Sequence, residues 1–170
     1  MKDIVLITWI SWSWKTTLQD YMLENWWTRP INFTTRKPRS DNELDEYGFI
    51  SKSNFLTKLW NWDFLESTNY WWNFYWISKT LPESDKVCII LDPIWRSQVM
   101  ELFNREWVRY ESYYLEISKI EQKRRLRLRW DTAEEIEKRL RDNEWFHPTP
   151  FCTIIDWTSS IEDIYKIINW

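Results

Sequence analysis

Lys15 and Thr16 place a cation and a hydroxyl where an apolar run, residues 3–8, gives way to a helical pattern. In such a place the lysine can reach nucleotide phosphates and the hydroxyl can hold Mg²⁺, provided that the intervening backbone wraps around the phosphates. The pattern that does this is the P-loop, G-x-x-x-x-G-K-[ST], and counting back from Lys15 puts its two glycines at Trp9 and Trp14. An indole at either position would fill the space of the phosphates, so the loop as written is predicted not to close on a nucleotide.

The sequence contains 16 Trp and 1 Gly, whereas an average glycine content of about 7% would give roughly a dozen glycines. Tryptophan stands where glycine is expected at three loop positions (9, 12 and 14), at a helix stop (26–27) and at a turn (71–72). Gly48 lies between two aromatic residues of a strand pattern, where glycine is disfavoured. The sequence therefore carries the two residue types in each other's usual places.

Two interpretations of the tryptophans stay open, and they require different backbones. Either the indoles block the loop, or the two residue types are exchanged and residues 9–17 form a complete P-loop. A positive φ at Trp12, Trp14 or Trp72, with no room for an indole, would support the exchange. Well-packed indoles at negative φ would contradict it.

The apolar and helical patterns predict strands that alternate with helices, which is typical of a parallel, three-layer α/β core. A strand-rich stretch, residues 32–80, interrupts the alternation and predicts an inserted lobe. Within it, residues 70–76 are predicted to turn only if their tryptophans act as glycines. The predicted strands are 3–8, 31–35, 63–70, 86–92, 110–117 and 151–156, and the predicted helices are 18–25, 52–59, 95–105, 118–129, 132–144 and one from 159 onward.

The composition excludes several classes of protein. With 29% charged and 44% hydrophobic residues and 2 Cys, the chain is neither collagen-like, nor a disulfide scaffold, nor strongly disordered. A net charge of -3 argues against a general binder of nucleic acid or anionic membranes. No apolar run approaches the roughly 18 residues of a transmembrane helix. Cys88 and Cys152 lie in apolar runs typical of buried thiols, which together with these points predicts a cytoplasmic protein.

With these residues in place, the sequence resembles guanylate kinase, a P-loop nucleoside-monophosphate kinase, over nearly its whole length. After the loop, residues 34–39 (Thr-Thr-Arg-Lys-Pro-Arg) resemble a specific segment of that family, and residues 64–66 (Phe-Leu-Glu) resemble part of its nucleobase pocket. Residues 73–76 (Asn-Phe-Tyr-Trp) resemble a family Asn-Tyr-Tyr-Gly, with Trp for Gly. Asp92, three residues before Trp95, resembles the carboxylate at the end of a strand.

The resemblance implies one domain, residues 1–170: a P-loop kinase core (1–31 and 81–170), a monophosphate-binding lobe (about 32–80) and a helical lid (about 125–142). It implies transfer of the ATP γ-phosphate to GMP or dGMP, with Mg²⁺ held by Thr16, in a monomer or homodimer that binds no nucleic acid and no membrane. The implied catalytic residues are Lys15, Arg36, Arg129 and Arg139. The implied ATP-binding residues are Trp9, Ser11, Trp12, Ser13, Trp14, Lys15, Thr16, Thr17, Arg125 and Arg129. The implied GMP-binding residues are Asn32, Arg36, Arg39, Glu43, Tyr47, Glu66, Tyr75, Asp92 and Arg139.

The residue types suit these roles on chemical grounds as well. A phosphate dianion favours planar, bidentate donors, and Arg36 and Arg39 lie three residues apart on one segment. Guanine carries two adjacent N–H donor groups, and a carboxylate such as that of Glu66 or Asp92 can accept hydrogen bonds from both. Phosphoryl transfer then needs mainly positioning and neutralisation of charge.

Three alternatives remain. Ile77 stands where the family usually has a base-contacting Ser or Thr, and Ile90 where a further Asp can occur, so a related kinase with another phosphorylated acceptor is one. The loop tryptophans favour a second, a guanylate-kinase-like module that binds phosphopeptides without catalysis. The third is that bulky side chains at tight turns prevent folding altogether.

Overall fold

The computed structural model describes residues 3–9, 15–38, 43–44, 47–70, 72–91, 93–128, 130–143 and 151–169. Eight strands and six helices are assigned in this part of the chain. In order they are β1 (Asp3–Trp9), α1 (Lys15–Glu24), β2 (Asn32–Thr34), β3 (Tyr47–Phe49), α2 (Lys52–Trp60), β4 (Phe64–Tyr70), β5 (Asn73–Ser78), β6 (Lys86–Leu91), α3 (Pro93–Arg105), β7 (Glu111–Glu116), α4 (Lys119–Leu128), α5 (Ala133–Asn143), β8 (Thr153–Asp156) and α6 (Ile161–Ile168).

The central sheet is parallel throughout and has the strand order β6-β1-β7-β8. The central strand β1 alternates its buried side chains between the two faces of the sheet. Val5 and Ile7 join a cluster with residues of α1 and α6, whereas Ile4 and Leu6 join a second cluster with residues of α3. Helices therefore cover both faces, and the predicted three-layer α/β fold class is confirmed.

The lobe is a second sheet, with the strand order β3-β2-β5-β4, in which β2 pairs parallel with β3 and the other pairs are antiparallel. One face of this sheet packs on α2 through an aromatic cluster around Phe55. The Phe55 ring lies 4.3 Å from that of Phe74 and 4.8 Å from that of Trp76, centroid to centroid. The lobe also contacts the core, because Leu65 and Ile77 belong to the cluster on the α3 side.

β4 ends at Tyr70, Trp72 is in a turn, and β5 begins directly at Asn73, while Trp71 lies outside the described residues. A turn over the whole of 70–76 is thus wrong, because residues 73–76 belong to β5. The remaining aromatic residues of this segment form a strand, because their side chains pack into the lobe core.

Four helices end in the same way, with a tryptophan in the left-handed region. The φ angles are 70° at Trp26, 57° at Trp62, 57° at Trp107 and 66° at Trp130. In each case the next residue donates its N–H to the carbonyl five residues earlier, the bond that closes a Schellman motif. The bonds are Trp27 to Met22 (3.1 Å), Asp63 to Lys58 (3.2 Å), Val108 to Phe103 (2.8 Å) and Asp131 to Leu126 (3.4 Å).

Trp72, in the turn of the lobe, has a φ of 67°, so the backbone condition for a glycine-type position is met there. Its side chain is 82% exposed, however, and the indole has room in solvent. Trp12 and Trp14 lie outside the described residues.

Other positions contradict a uniform exchange of Gly and Trp. Trp27 and Trp76 are 4% and 1% exposed, are packed among apolar side chains, and lie outside the positive-φ set. A Cβ atom on Gly48 would overlap the ring of Phe33, which covers this glycine from the neighbouring strand. Tryptophan is thus an ordinary core residue at two sites, and Gly48 is in a place that admits no side chain without rearrangement.

Two further observations bear on the sequence-based expectations. Cys88 is fully buried, but Cys152 is only partly so, and no disulfide joins them. Among the described residues, no helix is both long and apolar enough to cross a membrane.

Candidate functional site

The predicted P-loop begins at the carboxyl end of the central strand. Trp9 is the last residue of β1 and Lys15 the first of α1, which leaves five residues for the loop. In open α/β sheets, ligands bind beyond the carboxyl ends of the strands, and the amino terminus of a helix there favours anions. The loop residues 10–14, and the side chains of Trp9, Lys15 and Thr16, lie outside what the structure describes. Thr17 is exposed on the first turn of α1.

The predicted nucleotide residues of the lobe lie on one face of its sheet. Asn32 is paired with Tyr47 on one side and with Ile77 on the other, and Ile77 is paired with Glu66, so these four form a row across all four strands. Tyr75 lies two residues before Ile77 and shares its face. The opposite face carries the aromatic cluster that packs on α2. The polar row is therefore turned away from the lobe core.

Arg36 follows β2 and lies against this same end of the lobe. Its Nη1 and Nη2 atoms each lie 2.7 Å from one carboxylate oxygen of Glu43, in a bidentate ion pair. Its Cζ lies 5.3 Å from the ring centroid of Tyr47 and 5.6 Å from that of Phe49. The hydrogen bond to Glu43 raises the pKa of Arg36 above its ordinary value, so the guanidinium is held in its charged form.

The backbone around Arg36 is fixed by two threonines of the 34–39 segment that were not predicted as site residues. Thr34 Oγ1 donates to the Phe74 carbonyl at 3.0 Å and accepts the Arg36 N–H at 3.2 Å. Thr35 Oγ1 accepts the Phe74 N–H at 2.9 Å. The Thr-Thr pair that precedes Arg36 was the available signal, because hydroxyls beside a strand end commonly bond the neighbouring backbone.

In the lid, Arg125 lies on α4 and is held at both ends of its guanidinium. Nε donates to Glu121 at 2.7 Å, and Nη2 donates to the Trp157 carbonyl, beyond β8, at 3.2 Å. Glu121 also accepts two bonds from Arg124, and these two bonds, together with the one from Arg125, lower the pKa of Glu121 to about 2. Arg125 thus ties the first helix of the lid to the core sheet.

Arg139 lies on α5, where its Nε is 3.3 Å from a carboxylate oxygen of Asp131. The two lid helices pack through a small buried cluster of Leu126, Ile136 and Leu140. The two helices of the predicted lid thus form a packed pair, and Arg125 and Arg139 each lie on a carboxylate.

The structure brings together one part of the predicted site, the lobe group of Asn32, Arg36, Glu43, Tyr47, Glu66 and Tyr75. Arg125 and Arg139 belong to the separate lid helices. Ile77 is 6% exposed and packs with the core, so this position offers the lobe face no polar group. The remaining predicted residues lie outside the described part of the chain: Ser11, Trp12, Ser13, Trp14, Arg39, Asp92 and Arg129.

Sequence reasoning missed a buried arginine, Arg96 of α3, which contacts Tyr114 and Cys152. Arg96 is 1% exposed, its Cζ lies 5.5 Å from the ring centroid of Tyr114, and its Nη1 donates to the Cys152 sulfur at 3.9 Å. Burial raises the pKa of Tyr114 to about 12. No pattern signalled this buried arginine, because an arginine within a helical segment is usually exposed.

Within the described residues, no group of three or more His, Cys, Asp or Glu side chains could hold a metal ion. A metal that enters with a nucleotide needs fewer protein ligands, because the phosphates supply part of its coordination.

Comparison with known proteins adds two findings. A curated guanylate kinase from Nitrosospira multiformis is 32% identical over 80 residues, which cover 43% of this chain but only 38% of that protein. The crystal structure of guanylate kinase from Anaplasma phagocytophilum matches with a TM-score of 0.64 at 19% identity, covering 99% of this chain and 82% of that one. No protein-family model matches the sequence. The chain therefore has the fold of guanylate kinase over nearly its whole length, and the partial sequence match points to the same family.

Proposed function

We propose that this protein binds GMP on the polar face of the lobe and that its fold serves transfer of the ATP γ-phosphate to GMP or dGMP, with ADP as the second product. The single observation that carries this is the grouping of Arg36, Tyr47, Tyr75 and Glu66 at one face of the lobe sheet. Together they offer a cation and two hydroxyls for a phosphate, and a carboxylate for a base.

The spacing of these groups suits a nucleotide. Tyr47 lies on β3 and Glu66 on β4, at opposite edges of the four-stranded sheet. With neighbouring strands about 4.8 Å apart, these two backbones are separated by roughly 14 Å. The phosphate would lie at the Arg36 and Tyr47 end, where Arg39 would add a second cation. The base would lie at the Glu66 end, with Asn32 between them and Asp92 approaching from the core.

The donor side would be built from the loop and the lid. Lys15 would neutralise the ATP phosphates, and Thr16 would bind the Mg²⁺ that accompanies ATP. Arg125 and Arg129 would contact ATP, and Arg139 would reach the transferred phosphoryl group. Closure of the lid, about residues 125–142, over the core and lobe would exclude water from the transfer.

As the loop is written, this donor side would be blocked. Indoles at positions 9, 12 and 14 would occupy the space that the P-loop pattern gives to the phosphates of ATP. We therefore expect the unchanged protein to bind GMP without phosphorylating it. This favours, as the second candidate, a non-catalytic module that binds phosphopeptides.

The buried position of Ile77 favours a further variant of the main proposal. Because this side chain packs with the core and gives the base no hydroxyl, Glu66 would be the main polar contact to the base on the lobe. The alternative function to test would then be that of a related kinase with another phosphorylated acceptor.

The test separates binding from catalysis. Titration calorimetry with GMP, AMP, CMP and a phosphoserine peptide should show binding of GMP alone by the unchanged chain. A coupled assay with Mg²⁺, ATP and GMP should show no turnover until Trp9, Trp12 and Trp14 are all replaced by glycine. In that variant, Lys15→Ala should abolish the gained turnover.

Other outcomes would decide against the proposal. Turnover by the unchanged chain would contradict the blocked loop. Binding of the phosphopeptide in preference to GMP would favour the non-catalytic module, and binding of another monophosphate would favour the related kinase.

A further inference from the structure

Helix α2 covers the lobe sheet with one side and presents two different flanks to solvent. Phe55 points into the aromatic cluster of the lobe. One flank beside it is polar, with Asn54 and Thr57. The other flank carries an apolar stripe whose members lie three or four residues apart, and therefore on the same side of the helix: Leu56, Leu59 and Trp60.

Together with Trp62, in the turn that ends the helix, these three side chains form what we call the α2 stripe. The two indoles are 86% and 84% exposed, and the two leucines are 59% and 45% exposed. Since a tryptophan side chain can bury up to about 250 Å², the four present roughly 600 Å² of apolar surface to solvent. That is as large as the largest apolar patch of a typical monomer, about 300–600 Å², and patches of this size often bind a partner.

The charges at the two ends of the α2 stripe suit a second copy of the same helix. Lys52 is exposed and lies one turn before Leu56, and Asp63 follows directly after Trp62. The carboxylate of Asp63 is 44% exposed, and its pair with Lys58 is long, at 3.6 Å, and therefore weak. The stripe thus has a cation at its start and an anion about 16 Å away at its end. Two such stripes packed antiparallel would bring each cation beside the anion of the other copy.

We propose that two copies of this chain form a two-fold symmetric dimer through antiparallel packing of their α2 stripes, with Lys52 of each protomer beside Asp63 of its partner. A two-fold interface needs one surface that complements itself, and the apolar centre and opposite end charges of the stripe meet this condition.

The size and position of the α2 stripe support a dimer. A standard interface takes about 800 Å² from each partner, and the stripe supplies roughly 600 Å² of it as an apolar centre, to which the charged ends add a polar rim. Tryptophan is among the residues most enriched in binding hot spots. Because α2 packs on the lobe face opposite the polar row, the dimer leaves that row open. The inference therefore does not depend on the proposed function.

Sedimentation velocity over a series of protein concentrations, without nucleotide, tests the dimer. The unchanged chain should show a reversible equilibrium between monomer and dimer, and Trp60→Ser should raise the dimer dissociation constant at least about tenfold. Trp107→Ser is the matched control, because it removes an indole that is 94% exposed at the end of a different helix, α3. It should leave the dissociation constant unchanged. Neither variant loses a buried side chain, and thermal unfolding should show that both are folded.

Charge reversal tests the antiparallel arrangement. Lys52→Glu and Asp63→Lys should each weaken the dimer, because like charges then meet at both ends of the stripe. Mixing the two variants should restore dimerisation, since both contacts of the mixed dimer join opposite charges. Native mass spectrometry identifies the mixed dimer by its mass. A mixture that dimerises no better than either variant alone would overturn the antiparallel packing.

Three other results would overturn the proposal. The first is a monomer at every concentration. The second is a dimer that persists when Trp60→Ser and Trp62→Ser are combined, since the interface would then lie elsewhere. The third is equal weakening by Trp107→Ser, which would show a general attraction between exposed indoles in place of a defined surface.

Discussion

Tryptophan has opposite backbone conformations and exposures at the helix ends and in the interior of the lobe. At the helix ends, Trp26, Trp62, Trp107 and Trp130 adopt φ angles of 57–70° with side chains 84–94% exposed. Inside the lobe, Trp76 is 1% exposed in a strand and contacts the rings of three phenylalanines. In the first region the backbone has a glycine conformation and the indole makes almost no contact, whereas in the second the indole is part of the core.

Adjacent residues show the same contrast at the end of α1. Trp26 occupies the left-handed position and is 89% exposed, while Trp27 is 4% exposed and packs into the main core. The difference teaches that the fold imposes the backbone of each turn and that the side chain then either finds a core or points into solvent. Tryptophan is tolerated at these turns because they lie at the surface.

Among the substitutions that test this contrast, the largest effect on stability is expected at Trp76. Replacing it with glycine should lower the free energy of unfolding by about 3–5 kcal/mol, because a large buried side chain is lost from a packed cluster. The change is measured by urea unfolding, followed by circular dichroism.

Trp76→Phe is the matched control for this variant. The Nε1–H of Trp76 is buried with no hydrogen-bond partner among the described residues, so removing it offsets part of the lost contact. We expect Trp76→Phe to cost less than about 1.5 kcal/mol. A loss as small for Trp76→Gly would show that the lobe interior does not need the indole.

The next largest effect is expected at Gly48, the reverse case in the same lobe. A Cβ atom there would overlap the ring of Phe33, so Gly48→Ala should destabilise the protein by about 1–3 kcal/mol. Urea unfolding measures this as well. In a Phe33→Leu background the penalty should shrink, and an unchanged penalty would place its origin in the backbone instead.

Much of the core could be predicted from the sequence because its signals are local. The apolar run that becomes β1 and the strand Lys86–Leu91 are buried on both faces of the sheet. Such strands can be recognised in the sequence as continuous apolar runs, without knowing which strands pair with them. The Thr-Ala-Glu-Glu sequence that begins at Thr132 forms a capping box before α5, in which Glu135 accepts from the Thr132 N–H at 2.8 Å. The start of α5 could therefore be predicted from this local signal.

The rest depended on contacts that no local pattern contains. The strand character of residues 73–76 follows from packing on Phe55, which lies about twenty residues earlier in the chain. The pairing of Arg36 with Glu43 depends on how the intervening segment returns to the sheet. The family resemblance implied that both residues lie near the same ligand, but it could not show that one holds the other.

The smallest effect, and the sharpest test of the contrast, is expected at a helix end. Trp107→Gly should stabilise the protein by about 0.5–1 kcal/mol, because glycine adopts a φ of 57° without the steric penalty of a side chain. Part of the relief is offset by the greater freedom of glycine in the unfolded chain.

Trp107→Ala separates backbone strain from loss of the indole. Alanine keeps a Cβ and therefore the penalty, and the indole it replaces is 94% exposed, so this variant should unfold within about 0.5 kcal/mol of the unchanged chain. If Ala and Gly stabilise equally, the exposed indole itself was the unfavourable feature. If glycine destabilises instead, the turn after α3 does not impose the left-handed backbone, and the contrast between helix ends and lobe interior fails at that position.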